Sequence, residues 1–231
     1  LLARPDGSID ERTVLFSASE IALTDVWQVI GLKGTGSDSF SVEDAFVPEE
    51  RFIARQDPAD SRQPGPLYRF PIRIIFAVGF AGVALGIGRS ALDAFIALAK
   101  EKIPRSFKTK LGQNAVIQLQ LAQAEAQLQS ASRYLFGSLD EIWQEVVTTG
   151  ELSLDRRVQL RLAASHAIKE AREVVDFAYY GSGSTAVFSG APVERRYRDM
   201  HAVAQQMQGR QDHFETVGAY LLGLETDTAH L

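Results

Sequence analysis

The 231-residue sequence has no cysteine. Disulfides, thiolate catalysis and cysteine zinc sites are therefore excluded, and a reducing compartment fits. Histidine is scarce too. His166, His201, His213 and His230 are the full set, no two of them spaced i, i+4, and HExxH is absent, so no metal site is expected. There is no excess of positive charge: 24 Lys and Arg stand against 29 Asp and Glu, a net charge of -5. That balance gives no electrostatic footprint for nucleic acid. Long apolar runs are missing as well. Ile74 to Gly88 is uncharged, but it is shorter than the roughly 18 residues of a membrane span and is bracketed by Arg73 and Arg89. A buried helix is expected there and no membrane partner. The chain begins Leu1-Leu2-Ala3-Arg4, without Met and without the layout of a signal peptide, and reads as a fragment.

What is present describes a globular chain of one or two domains, 45% hydrophobic and 23% charged, long enough to bury a large core. Residues 1–56 read as β. Thr13 to Phe16 and Ile21 to Leu23 are short apolar or β-branched runs. Trp27 and Val29 alternate with polar neighbours, as do Phe40 and Val42. Asp6-Gly7-Ser8 signals a turn, Gly31 to Ser37 a glycine-rich connection between strands, and Val47-Pro48 the end of the last strand. Residues 57–71 carry Pro58, Pro64, Pro66 and Pro71, half of the eight prolines, and read as a linker.

Residues 72–231 read as helical. The first segment, 72–102, holds Gly79, Gly82, Gly86 and Gly88 among large apolar side chains. Each glycine costs a helix about 1 kcal/mol relative to alanine, so close helix packing or a flat ligand is expected along it. Leu121, Leu128, Leu135 and Ile142 recur every seven residues in a helix over about 114–148, with Ile117, Leu139 and Val146 beside them. Val158, Leu162, Ile168 and Val175 mark a third helix over 154–179. Val193, Tyr197, Met200, Ala204 and Met207 mark a fourth over 193–207, and Phe214, Val217 and Leu221 a short last one. Long helices with short connections make a bundle of about four.

Few segments carry chemistry. Gly34 to Ser39 lacks the Gly-Lys-Ser/Thr ending of a phosphate loop and reads as a turn. Tyr180-Gly181-Ser182-Gly183-Ser184 is either a helix stop or a place where a cofactor phosphate approaches main-chain N–H groups. Arg195, Arg196, Arg198 and Asp199 are either a solvated face or an Arg-Asp network at a contact. His166 fits a satisfied core or interface histidine.

Four segments occur in a telling order: Trp27 followed by GLKGTGSDSFSVEDAFVPEER, the glycine-rich helix, PVERRYRDMHAVAQQ, and GAYLLG. Together they resemble the acyl-CoA dehydrogenase superfamily, and within it the flavin-dependent monooxygenase branch. The resemblance implies an α+β, mostly α fold, with part of a middle β-barrel domain in 1–56 and an up-down four-helix bundle in 72–231. The family's N-terminal domain would lie outside this sequence. A flavin, FAD or reduced FMN or FAD, a small organic substrate, a homotetramer built through the bundles, a separate flavin reductase and a cytoplasmic setting are implied with it. Gly181, Ser182 and Gly183 match the family's turn near the flavin pyrophosphate. Arg105 lies near an arginine that meets the neighbouring subunit's cofactor, although the motif around it departs from the dehydrogenase form. Arg198-Asp199 matches the pair on the helix leading to the active site, and His201 follows on that helix as a substrate or interface residue.

The resemblance also exposes a departure. Acyl-CoA dehydrogenases need a base that abstracts an α-proton. Its two family positions fall near Phe76 and around Gln206 to Gln208, and neither holds a carboxylate. Phenol hydroxylases of the branch often have a histidine where this chain has Gln206. An amide is no general base at neutral pH. The sequence therefore favours a two-component monooxygenase that transfers oxygen from a peroxyflavin. A dehydrogenase with a displaced base and a non-catalytic family member are the alternatives.

Overall fold

A computed structural model of the chain describes residues 2–3, 7, 9–10, 12–54 and 63–228. His230 and Pro58 lie outside them. The chain divides into two compact units, residues 1–29 with 33–71, and residues 30–32 with 72–231.

Among its described residues the first unit holds six strands of two or three residues: β1 Leu2–Ala3, β2 Ile9–Asp10, β3 Arg12–Val14, β4 Ala22–Thr24, β5 Ser39–Ser41 and β6 Phe52–Ala54. They pair antiparallel as β1-β2, β3-β6 and β4-β5, with Thr13 opposite Ile53 and Leu23 opposite Phe40. Among the described residues these are three separate two-stranded ladders, not a closed barrel. Gly7, at φ +83°, sits between β1 and β2 in a conformation glycine adopts freely. Two expectations are corrected. Trp27 and Val29 form no strand, because Asp38 Oδ1 accepts from the Val26 and Trp27 amides, both at 3.2 Å, and takes those donors out of any ladder. Val47-Pro48 does not end the last strand. Pro48 starts a short turn, after which β6 returns to pair with β3.

Among its described residues the second unit is built on five helices: α1 Ile72–Glu101, α2 Ala115–Thr149, α3 Leu154–Ser182, α4 Pro192–Gln205 and α5 Asp212–Leu221. Local signals set their ends. Asn114 Oδ1 accepts from Val116 N at 2.9 Å to start α2, and Gly150 closes it at φ +75°. Pro192 occupies the first turn of α4, where a missing N–H costs nothing. α3 is the hub and packs on α1, α2 and α4. Ala77, Ala81, Ala84 and Ala91 of α1 and Ala163, Ala164, Ala167, Ala171 and Ala178 of α3 are fully buried, so the two helices meet through small side chains. Leu128 and Leu135 bring the apolar seam of α2 onto this core, and Ile142 and Val146 further along it are buried too.

By length and composition α1 could cross a membrane. Here Ile74, Leu92 and Phe95 are fully buried within the bundle. Close packing of its glycines holds at Gly88 only, where a Cβ would come 3.0 Å from Leu128 Cδ1; Gly79, Gly82 and Gly86 face open space. Met207 lies beyond the end of α4 and is exposed, and Leu221 is exposed at the end of α5, so neither belongs to the core as expected.

Candidate functional site

The residues singled out in the sequence gather in three neighbourhoods of the helical unit. The first is the end of α3. The helix continues through Ser182, three residues beyond the expected end at 179, and stops at Gly183 within the glycine-rich segment. Gly181 therefore sits inside it, and a Cβ there would lie 2.8 Å from the ring of Phe95. The Ser182 hydroxyl donates back to Ala178 O at 2.7 Å and is buried. Gly183 alone makes the turn, at φ +57°. Lys102, just past α1, crosses to this turn and donates to Ser182 O at 2.6 Å and to Thr185 Oγ1 at 2.8 Å. An ammonium has three protons, so one remains for an outside acceptor. Beside the turn is an apolar groove of 250 Å³ lined by Ala94, Leu98, Thr185, Ala186 and Pro192. Arg105, three residues beyond Lys102, is exposed and has no hydrogen-bond or ion-pair partner among the described residues.

An aromatic cluster leads into this turn. Tyr179 stacks on Tyr197 of α4 at 4.0 Å between centroids, and Tyr197 meets the His201 ring at 4.2 Å. His201 Nε2 donates to Asp176 Oδ1 of α3 at 2.8 Å. Burial, then the Tyr180 hydroxyl, pushes the Tyr197 phenol above its ordinary pKa. His201 thus belongs to the α3 side of α4.

The second neighbourhood is Arg198-Asp199. Both hold main chain. Asp199 Oδ1 accepts from Leu32 N at 2.8 Å, and Arg198 donates to Ile30 O while Glu194 steadies its guanidinium. Gly31 lies between these bonds, and a Cβ there would be 2.2 Å from Arg198 O, so only glycine fits the approach. On the α1 side, Val83, Gly86, Ser90, Arg195, Arg196 and Asp199 line a groove of 370 Å³.

The third neighbourhood is the turn after α4. Gln206 caps it, its Oε1 accepting from Gln208 N at 2.6 Å. Gln208 is buried and its Oε1 accepts from Arg161 Nη1 of α3 at 2.7 Å; Arg161 Nη2 reaches Arg73 O, at the start of α1, at 3.4 Å. Phe76 lies three residues further along α1 and is 53% exposed.

Residues 78–210 match the model of the acyl-CoA dehydrogenase C-terminal domain. The chain belongs to that family. Its helical unit is thus an acyl-CoA dehydrogenase C-terminal domain, and its relatives are monooxygenases. It is 29% identical over 212 residues to the indole-3-acetate monooxygenase of Pseudomonas putida, covering 92% of this chain and 54% of that protein. It is 27% identical over 201 residues to the oxygenase subunit HsaA, a flavin-dependent monooxygenase of Rhodococcus jostii, covering 84% and 53%. The crystal structure of the 3-HSA hydroxylase from Rhodococcus sp. RHA1 superposes with a TM-score of 0.85 at 26% identity, over 96% of this chain and 60% of that one. The chain spans about half the length of the curated relatives it matches.

Within this domain three residues escape a reading of the sequence alone: Lys102, Arg161 and Asp176. A cation at the end of α1 is a familiar helix-end signal, but its target, a turn 80 residues away, is not. Asp176 and Arg161 act across helix pairs, and only the helix register aims them. His166 is half-exposed beside Glu170, its Nδ1 3.5 Å from Oε1. His213 is buried and donates from Nε2 to Met207 O at 2.8 Å.

Proposed function

We propose that the full-length protein is the oxygenase component of a two-component flavin-dependent monooxygenase that hydroxylates a small organic substrate. The observation that carries this reading is Gln206, an amide fixed at the end of α4 where the dehydrogenases of the family need a base. Removal of an α-proton from an acyl thioester requires a group that accepts it, and an amide does not. Oxygen transfer to a phenol, indole, amine or thioether draws on the substrate's own electron pair and tolerates an amide there. The relatives, monooxygenases by name, point the same way.

A flavin fits the turn at the end of α3. Gly183 lacks a Cβ, so a phosphate can approach its main chain. The carbonyl end of a helix repels anions, and Lys102, seated on Ser182 O with one proton to spare, offsets that repulsion. Arg105 supplies a second cation nearby in sequence. Gly181 and Ser182 face inward and serve packing, so the binding role passes from them to Gly183, Thr185 and Lys102. Bound reduced flavin would supply, with dioxygen, the electrophilic oxygen. The chain's own part is to hold the phosphate, wall the substrate with α1 around Phe76, and present Gln206. The reading carries a separate flavin reductase, a homotetramer through the bundles and a cytoplasmic setting.

The test is a titration of the full-length protein with oxidised and with reduced flavin under anaerobic conditions, followed by oxygen and a panel of phenols and indoles. Preferential binding of reduced flavin and a hydroxylated product are expected. Tight retention of oxidised FAD, bleached by an acyl-CoA, would overturn the reading in favour of a dehydrogenase.

A further inference from the structure

The turn that follows α4 is fixed from several directions. Gln208 is tied by its side chain to Arg161, Met207 O accepts from His213 Nε2, and Gly209 lies so near α4 that a Cβ would be 2.7 Å from Ala204 O. Within this frame the orientation of the Gln206 amide is not free. The Gln208 main-chain N–H can only donate, so the group 2.6 Å from it must be the Gln206 oxygen. Among the described residues nothing accepts from the other end, Nε2. The amide is planar, so pinning its oxygen turns its two N–H donors away from the turn. Gln206 is half-buried, not a freely rotating surface side chain.

We infer that Gln206 is a hydrogen-bond donor to an oxyanion of the substrate, and that the site therefore selects phenolates. The inference rests on the reading that this turn faces the substrate. A donor aimed at a phenol oxygen stabilises its ionised form, and ionised phenols are the more electron-rich at the ring carbons that oxygen attacks. Selecting the phenolate by binding thus replaces the proton removal that a base would perform. Arg161 and Gln208 are positioning residues in this account, because they hold the N–H of Gln208 where it fixes the amide.

The experiment uses the full-length protein and 4-nitrophenol, whose phenolate and phenol differ in absorption. Binding is followed across pH for the parent and for Gln206→Glu and Gln206→Met. The parent should prefer the phenolate by about tenfold, the scale of a hydrogen bond to a charged group. The glutamate still accepts from Gln208 N but presents an acceptor outward, so the preference should reverse toward the neutral phenol. The methionine variant should bring it near parity. A parent that binds both forms equally, or binds neither, overturns the inference, as does a glutamate variant that keeps the preference. A reduced-flavin titration of the same samples separates the two ideas: intact flavin binding without phenolate preference sinks only the role of Gln206, and absent flavin binding sinks the monooxygenase reading.

Discussion

Arg161 and Gln208 are joined inside the bundle, Nη1 donating to Oε1 at 2.7 Å, with the two residues 1% and 2% exposed. Burial, and after it the charge of Arg73, lowers the guanidinium pKa to about 10, which leaves it charged at neutral pH. Removing one partner strands the buried polar group of the other, whereas removing both takes donor and acceptor of this bond away together. Arg161→Met is expected to cost about 1–3 kcal/mol, and the Arg161→Met, Gln208→Met pair less than the sum of the single changes. Urea denaturation of the four proteins in the cycle measures the coupling. Strict additivity would mean the bond contributes nothing.

Among the glycines Gly31 lies nearest to a neighbouring backbone, with a Cβ position 2.2 Å from Arg198 O. Gly31→Ala must displace residues 30–32 from α4 and disrupt the Leu32 N to Asp199 bond. A loss of about 1–3 kcal/mol is expected, as for other overpacked sites. Asp199→Asn retains an acceptor for Leu32 N and should lose less than Asp199→Ala. Thermal denaturation ranks the three. An alanine at 31 that melts with the parent would contradict the close approach.

The helical half is legible because long elements repeat their signals. The seven-residue recurrence from Leu121 to Ile142 needs no tertiary information, and Asn114, Gly150 and Pro192 mark ends by chemistry local to them. The β half is harder to read, since strands of two or three residues are too short to show a period, and the pairing of Thr13 with Ile53 is decided across a long stretch of chain. The glycine-rich segment does stop α3, but at Gly183 and not before it: Gly181 packs against Phe95 and the Ser182 hydroxyl bonds backward inside the helix. At the site, the identity of Gln206 is plain from sequence. The direction of its amide is not, because it depends on the N–H of Gln208.

Glu20 should titrate far below an ordinary carboxylate. The hydroxyl and amide of Ser17 donate to its Oε2 at 2.5 and 2.8 Å, and Arg51 Nη1 lies 2.8 Å from both oxygens. The Ser17 bonds first, and then Arg51, lower its pKa from 4.5 to about 2. A depressed carboxylate stabilises the folded form above its unfolded pKa and loses that contribution as pH falls through the folded one. The β unit should therefore lose the contribution of Glu20 between about pH 4.5 and 2, and Glu20→Gln should remove that part of its acid sensitivity. Carbon NMR of the Glu20 carboxyl across pH checks it. A midpoint at an ordinary glutamate value would show that the cluster does not form in solution.

Four glycines of the helical unit test whether glycine is required by packing or by something outside the chain. Gly181 is held by packing, its Cβ position 2.8 Å from Phe95 Cε2, and Phe95 is itself fully buried edge-on to Phe177. Gly181→Ala should cost about 1–3 kcal/mol by overpacking, and Phe95→Leu in the same chain should recover part of it, although Phe95→Leu alone destabilises by opening space. Gly79, Gly82 and Gly86 meet nothing within 4 Å. Alanine there gains helix propensity of up to about 1 kcal/mol, so Gly82→Ala should raise the urea midpoint of this chain. If Gly82→Ala stabilises this chain yet weakens reduced-flavin or substrate binding in the full-length protein, the open stripe of α1 is kept bare for a surface the chain does not itself contain. Unchanged binding would leave the glycine at 82 without a functional reason.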